Sequence, residues 1–391
     1  MKTPLIMIMS AKRTPMGAFM GELSAKSAPE LGATAIKGVL QPFASQTIDE
    51  VLMGCVLTAG VKQAPARQAA LHAGLPISTG ATTLNKVCGS GMKAIMMGHD
   101  MILAGSASTI VAGGMESMTN APYLIERARA GLRMGHQNIK DHMFLDGLEN
   151  AYDGQAMGCF ADDTAIDEGI SREDMDDFAL ASLTRAQKAQ QSGAFNDEIV
   201  PVSIDYRGQI TTVADDEGPK RANADKIPKL RPAFRPQGAV TAANASSISD
   251  GAAALLLMNE PCAQRQQLEP MAYLVGHTTV ALAPEAFTLA PVSAITLLLD
   301  RLNWSKDSVD LFEINEAFAM VTLAAIKRLK LDPEKVNVHG GACALGHPIG
   351  ASGARVVVTL IHALKQRGLK RGIASVCIGG GEATAIAVEV I

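Results

Sequence analysis

Apolar positions along the chain fall into short runs separated by segments of helical period, the pattern of strands alternating with helices in an α/β protein. Leu5–Met9 predicts a first buried strand, and Val51–Leu57, Ala81–Leu84 and Thr109–Ala112 predict three more. Between them, Ser27-Ala28-Pro29-Glu30 opens a helix with a capping box and a proline in its first turn. Ala66–His72 and Met92–Leu103 are also helical. The glycine-rich turn Asn85-Lys86-Val87-Cys88-Gly89-Ser90-Gly91 precedes the helix Met92–Leu103, and Gly113-Gly114-Met115-Glu116 closes the strand that follows. The C-terminal part repeats the scheme. Gly346-His347-Pro348-Ile349-Gly350-Ala351-Ser352-Gly353 leads into a helix Ala354–Lys365, and a strand Ile373–Ile378 ends in Gly379-Gly380-Gly381-Glu382. The short match of Ser90-Gly91-Met92-Lys93 to Ser352-Gly353-Ala354-Arg355 hints at an internal duplication.

Residues 120–249 read differently. Charges, Gly and Pro become denser there, and the alternation weakens. One helix stands out, capped by Ser171 with Asp174 three residues later and ending near Gly193. The stretch from Asp215 to Pro232 reads as a loop of mixed charge. An insertion this long in an α/β protein is usually functional or a small domain of its own.

Composition narrows the classes. Of 391 residues, 48% are hydrophobic and 4% aromatic, so the large core they can fill is aliphatic. A net charge of −4 lacks the basic footprint of a nucleic-acid binder. The apolar runs Ala252–Met258 and Val356–Ile361 are far shorter than the ~20 residues of a membrane helix. Neither nucleic acid nor membrane is an expected partner, and the cytoplasm is the expected compartment. The six cysteines contain no CxxC pair, so neither a zinc site nor a thioredoxin-type motif is expected; no bound metal is among the expected ligands.

Three glycine-rich turns carry reactive groups. Cys88 precedes a helix start, where unpaired N–H groups and the helix dipole lower a thiol pKa. His347 lies before a second helix start, and Cys377 ends an apolar strand. Loops at strand ends are where α/β folds place active sites.

With Asn315-Glu316-Ala317-Phe318 added, these motifs resemble those of thiolases in order and spacing, and the likeness runs from Arg13-Thr14-Pro15 to the last strand. It is nearest to biosynthetic acetoacetyl-CoA thiolases, with Pro228–Phe234, Thr241–Ser246 and Ala290-Pro291-Val292 pointing to the mitochondrial-type branch. The resemblance implies a thiolase-like α/β fold with two similar βαβαβαββ halves in a five-layered α-β-α-β-α core. Residues 1–119 with 250–269 would form one half and 270–391 the other, with 120–249 as a loop domain over the active site.

The implied activity is the reversible condensation of two acetyl-CoA molecules to acetoacetyl-CoA and CoA. A broader 3-ketoacyl-CoA thiolase of fatty-acid breakdown is the alternative. No cofactor is implied, since coenzyme A is substrate and product. The implied roles are Cys88 as nucleophile, His347 as its base and Cys377 as the acid–base at the α-carbon. Asn315 would hold a water, and the N–H groups of Cys88 and Gly379 would cradle the acyl oxygen. Arg221, Asn223 and Lys226 would meet the nucleotide end of CoA and Ser246 its pantetheine arm.

The chain also departs from the family pattern. Ala156-Met157-Gly158 stands where a His-Met-Gly usually walls the acyl pocket, which opens that pocket. Leu183 stands where mitochondrial-type enzymes place a tyrosine beside potassium, so potassium activation is not expected. Gly131–His136 resembles the loop that joins two dimers, which implies a homotetramer.

Overall fold

The computed structural model describes residues 5–43 and 46–391. The chain begins with strand β1 (Ile6–Arg13), followed by helix α1 (Ala28–Leu40), β2 (Glu50–Gly54), α2 (Pro65–His72), β3 (Gly80–Leu84), α3 (Ser90–Leu103) and β4 (Thr109–Ser117). After the insertion, β5 (Ser249–Asn259) returns to the same sheet. The second half runs β6 (Ala272–Ala281), α4 (Ala290–Leu302), β7 (Leu311–Ile314), α5 (Ala319–Leu329), α6 (Ile349–Arg367), β8 (Arg371–Ile378) and β9 (Glu382–Val390). The strand expected between α5 and α6 shrinks to a single bridge, Phe312 to Val336. Both halves thus share one order of elements.

Five layers follow from which faces are apolar. α1 and α2 cover one face of the first half, where Leu31, Ile36, Val51, Val111 and Leu256 are buried together. α4 and α5 cover the outer face of the second half around Ile295, Leu298, Phe312 and Ile373. α3 and α6 lie between, in a cluster with Ile95, Leu255, Leu257, Val357, Leu360 and Ile386. α6 is buried along most of its length, as expected of a helix apolar on every side.

The two halves are not separate sheets. Ile6, Met7 and Ile8 of β1 pair antiparallel with Leu274, Tyr273 and Ala272 of β6. Among the described residues, ten strands therefore form one sheet in the order β7-β8-β9-β6-β1-β5-β4-β2-β3, with the two-residue strand Gly17–Ala18 beside β5. No helix among the described residues is long and apolar enough to cross a membrane.

Local expectations fare unevenly. The capping boxes at Ser27 with Glu30 and at Ser171 with Asp174 both form. β2 ends at Gly54, earlier than its apolar run, because the backbone of Val56 and Leu57 turns to bond Glu116. β4 does not stop at Gly113-Gly114 but runs through both to Ser117. Those glycines mark close approach: a Cβ at Gly113 would lie 2.0 Å from the carbonyl oxygen of Ala253, and one at Gly114 2.0 Å from that of Gly350.

The insertion carries two helices, Met157–Glu168 and Arg172–Gln191, and two ribbons, Tyr123–Ile125 with Ile139–Asp141 and Val202–Tyr206 with Gln209–Val213. The charged stretch after Asp215 is not wholly irregular, since Glu217–Arg221 and Ala224–Lys229 form short helical turns. Arg13, fully buried on β1, ties this segment down through Glu198 at 2.6 Å and Asp216 at 2.7 Å. Breaking such a buried pair typically costs about 3–5 kcal/mol.

Candidate active site

The site lies where the N-termini of α3 and α6 meet. A Cβ at Gly91 would lie 2.9 Å from the backbone nitrogen of Ala354, and one at Gly353 2.6 Å from that of Met92. Glycine on both helices lets the backbones touch, and this contact brings the turn holding Cys88 to the turn holding His347. Glu116, fully buried at the end of β4, clamps the same junction. It accepts hydrogen bonds from the backbone nitrogens of Val56 at 3.0 Å, Leu57 at 3.1 Å and Gly350 at 2.9 Å. Burial nevertheless pushes its carboxyl up to about 7.

The Cys88 turn is strained and braced. Val87 has φ +45°, a region that β-branched residues rarely enter. Ser90 Oγ accepts from the Lys86 backbone nitrogen at 2.8 Å and donates to the Val87 carbonyl at 2.7 Å. Cys88 itself is half-buried. The backbone N–H groups of Gly379 and of Cys88 itself lie close enough to its sulfur to favour the charged form.

The helix start does not produce a thiolate. Burial raises the Cys88 thiol to about 11, the two N–H groups oppose this, and Glu116 adds to it. The lowered pKa expected from position alone is thus overturned, because desolvation outweighs the helix end. Cys88 rests as a neutral thiol that needs a base.

His347 can be that base. The Ser352 hydroxyl, in the first turn of α6, donates to the Pro348 carbonyl at 2.9 Å. Having spent its proton there, Ser352 Oγ can only accept from His347 Nδ1, which lies 2.5 Å away. That assigns the proton to Nδ1 and leaves the lone pair on Nε2, which is buried and has no hydrogen-bond partner among the described residues. Burial, with Arg355 nearby, depresses the imidazole to about 3, so it is neutral across the physiological range. Asn315, also fully buried, sits beside Nδ1 with its amide nitrogen 3.5 Å away and its oxygen 3.4 Å from Arg355 Nη2.

Cys377 is the seventh residue of β8 and is buried against an apolar cluster that includes Met157, Phe234 and Phe318. Burial pushes its thiol far up, and a charge on Cys88 raises it further, so the two sulfurs are electrostatic neighbours. The following Gly380 and Gly381 both have φ +91°, a turn that suits glycine and returns the chain as β9.

The remaining predicted residues line two adjoining clefts. Arg221, Asn223 and Lys226 border an outer cleft of about 360 Å³ together with Leu183. Ser246, Ala156 and Met157 border an inner, mostly apolar cleft of about 330 Å³ with Phe144, Leu148 and Phe234. Ala242 and Ser247 line both. Glu217 positions the outer wall by accepting from the Ala18 and Glu22 backbones and from Arg221 at 2.8 Å.

Three contributors escape a reading of the sequence. Ser352 orients the histidine, and a hydroxyl five residues after a His at a helix start is the signal that could have found it. Glu116 gathers three backbone donors. Glu382 pairs with Lys86 and so bridges the Cys88 turn to the glycines that follow Cys377. This gives Glu382 a physical role, although nothing local in the sequence links residues so far apart.

Comparison with known proteins agrees over the whole chain. The family described as thiolase, N-terminal domain, matches residues 6–261, and thiolase, C-terminal domain, matches residues 268–390. A Chromobacterium violaceum protein named acetyl-CoA acetyltransferase is 48% identical, with 98% of this chain and 99% of that protein covered. One of the same name from Saccharomyces cerevisiae is 50% identical, with 99% of each covered. Among solved structures, a thiolase from Ascaris suum in complex with coenzyme A superposes with a TM-score of 0.94 at 42% identity, covering 99% of this chain and 100% of that one. The acetyl-CoA acetyltransferase of Bacillus anthracis superposes with a TM-score of 0.97 at 40% identity, covering 100% of this chain and 99% of that one. With fold, motif geometry and full-length relatives in agreement, the chain belongs to the thiolase family.

Proposed function

We propose that this protein is an acetyl-CoA C-acetyltransferase that condenses two acetyl-CoA molecules reversibly to acetoacetyl-CoA and CoA through an acyl group on Cys88. The observation that carries the reading is a neutral, oriented His347, its Nε2 buried without a partner among the described residues, in a site that also holds two neighbouring thiols. Full-length relatives named acetyl-CoA acetyltransferase favour this over a broader 3-ketoacyl-CoA thiolase.

In this reading His347 Nε2 takes the Cys88 proton as the sulfur attacks the first thioester. The tetrahedral oxyanion lies between the N–H groups of Cys88 and Gly379, and its collapse expels CoA, which takes the proton. One such donor is typically worth about 2.7–4 kcal/mol of barrier. Cys377 then gives its thiol proton to His347, which CoA has left neutral, and as a thiolate removes an α-proton from a second acetyl-CoA, while the protonated His347, with a water held by Asn315, stabilises the enolate oxygen. The enolate carbon attacks the acyl carbon, and Cys88 leaves as a thiolate that takes the proton back from His347. Arg221 and Lys226 supply positive charge for the nucleotide phosphates, Asn223 lies beside them, and Ser246 lies along the pantetheine arm. No bound cofactor or metal takes part. A cytoplasmic location suits these substrates.

Thiolysis of acetoacetyl-CoA by CoA tests the activity; failure to consume that pair would overturn it. Ala156 leaves space in the inner cleft, so ketoacyl-CoAs one or two carbons longer should also react. Ala156→His should fill that space and lower kcat/KM for a six-carbon ketoacyl-CoA about tenfold or more relative to acetoacetyl-CoA. Equal losses on both substrates would show that Ala156 does not set chain length.

We also infer a homotetramer. The ribbon formed by Tyr123–Ile125 and Ile139–Asp141 leaves Tyr123, Ile125, Ile139 and the intervening Met134 exposed, Met134 by 93%. Apolar groups exposed together along one ribbon suit association. Light scattering should give the mass of four chains, and replacing Met134 with Asp should shift it to two. A wild-type dimer would contradict this.

A further inference from the structure

On the far part of α3, away from its catalytic end, His99 and Asp100 meet His277 of β6. Asp100 Oδ1 is 3.0 Å from His99 Nδ1 and 2.8 Å from His277 Nε2. One donor atom from each of the three residues lies within 4.8 Å of the others. The imidazoles stand edge to face with centroids 4.9 Å apart.

The meeting depends on a break in strand alternation. Along β6, Ala272 and Leu274 face the inner layer with α3. Unbroken alternation would then send His277 to the opposite face. A bulge between Leu274 and Gly276 changes the phase. Val275 packs in the outer cluster, and a Cβ at Gly276 would meet Leu302 and Leu298 on that same side. Thr278 bonds the Ala294 carbonyl there at 2.9 Å. The extra residue therefore turns His277 inward onto α3.

We propose that His99, Asp100 and His277 form a binding site for a divalent transition cation of the zinc and nickel class. Two imidazoles and one carboxylate suit such ions, which hold ligands at ~2.0–2.2 Å and so keep them roughly 3.3 Å apart in a tetrahedron. The oxygen–nitrogen separations already come close to that value. In the cation-free arrangement both ring nitrogens donate to the same carboxylate oxygen; a cation takes the place of those two protons. Asp100 is exposed over 56% of its side chain, which gives a path in and leaves a position for water. Lys93, and Arg301 with its Nη1 3.5 Å from the His277 carbonyl, are positive charges that act against a cation here. Because α3 belongs to the first half and β6 to the second, the bound ion would cross-link them.

Nickel is the better probe because it favours imidazole, whereas zinc would also seek the active-site thiols. Calorimetry on chelator-treated, full-length protein with Ni²⁺ alone should show one ion per chain and a raised melting temperature. His277→Phe and the gentler Asp100→Asn should each weaken binding at least tenfold while melting, without metal, at the wild-type temperature. Cys88→Ser should bind as wild type does. No binding at millimolar Ni²⁺, binding that neither Asp100→Asn nor His277→Phe weakens, or binding lost in Cys88→Ser would overturn the proposal.

Discussion

Replacing Cys377 with Ala should lower condensation of acetyl-CoA by at least the 10²–10⁴-fold that general acid–base catalysis contributes, while leaving acylation of Cys88 intact. Cys377 lies in the apolar wall beside Met157 and Phe318, and burial holds it as a thiol. A thiolate there is costly in the resting enzyme and becomes accessible only when an adjacent group takes or gives a proton, which suits a residue that exchanges a proton with an α-carbon. The smaller alanine leaves the Gly379 N–H and the Cys88 turn in place, since backbone and not the Cys377 side chain supplies those donors. If Cys377 merely filled space in β8, the variant would turn over within a fewfold of wild type and lose only stability. A steady-state condensation rate, compared with the melting temperature, separates the two.

The second large effect falls on the other half-reaction. His347→Ala should slow acylation by about 10²–10⁴-fold at neutral pH. The reason is the mismatch that burial creates: the Cys88 thiol is pushed up to about 11, so almost none ionises unaided. Raising the pH toward 11 should restore part of the variant's rate, because ionisation then needs no base. Ser352→Ala is the informative companion. It removes the acceptor that fixes the Nδ1–H tautomer, so it should lower acylation less than His347→Ala does and leave coenzyme A binding unchanged. Rapid-mixing measurement of CoA release would show both. An unchanged acylation rate in His347→Ala would remove His347 from this role.

Legibility in the sequence divides by range. Ser27 with Glu30 and Ser171 with Asp174 are decided within four residues, and both helices begin where those pairs say. The apolar runs around Leu255 and Val376 are equally plain, because a strand buried on both faces needs apolar residues throughout. Cys88, His347 and Cys377 were visible as reactive groups on glycine-rich turns, and the structure gathers them. Their ionisation was not visible. A helix start argues for a thiolate at Cys88, whereas the burial that defeats it comes from packing by both halves. The glycines at 91 and 353 read as turn formers, yet they are the point where two helices touch. Phase changes such as the bulge before His277, and the pairing of Lys86 with Glu382, depend on neighbours that no local window contains.

Locating the acyl group tests the central claim most directly. Cys377→Ala, mixed with acetyl-CoA and no acceptor able to react, should gain one acetyl group by intact-mass spectrometry, and peptide mapping should place it on Cys88. Cys88→Ala should gain none. An acetyl group found on Cys55, Cys159, Cys262 or Cys343, or a folded Cys377→Ala protein that never becomes acylated, would contradict the account.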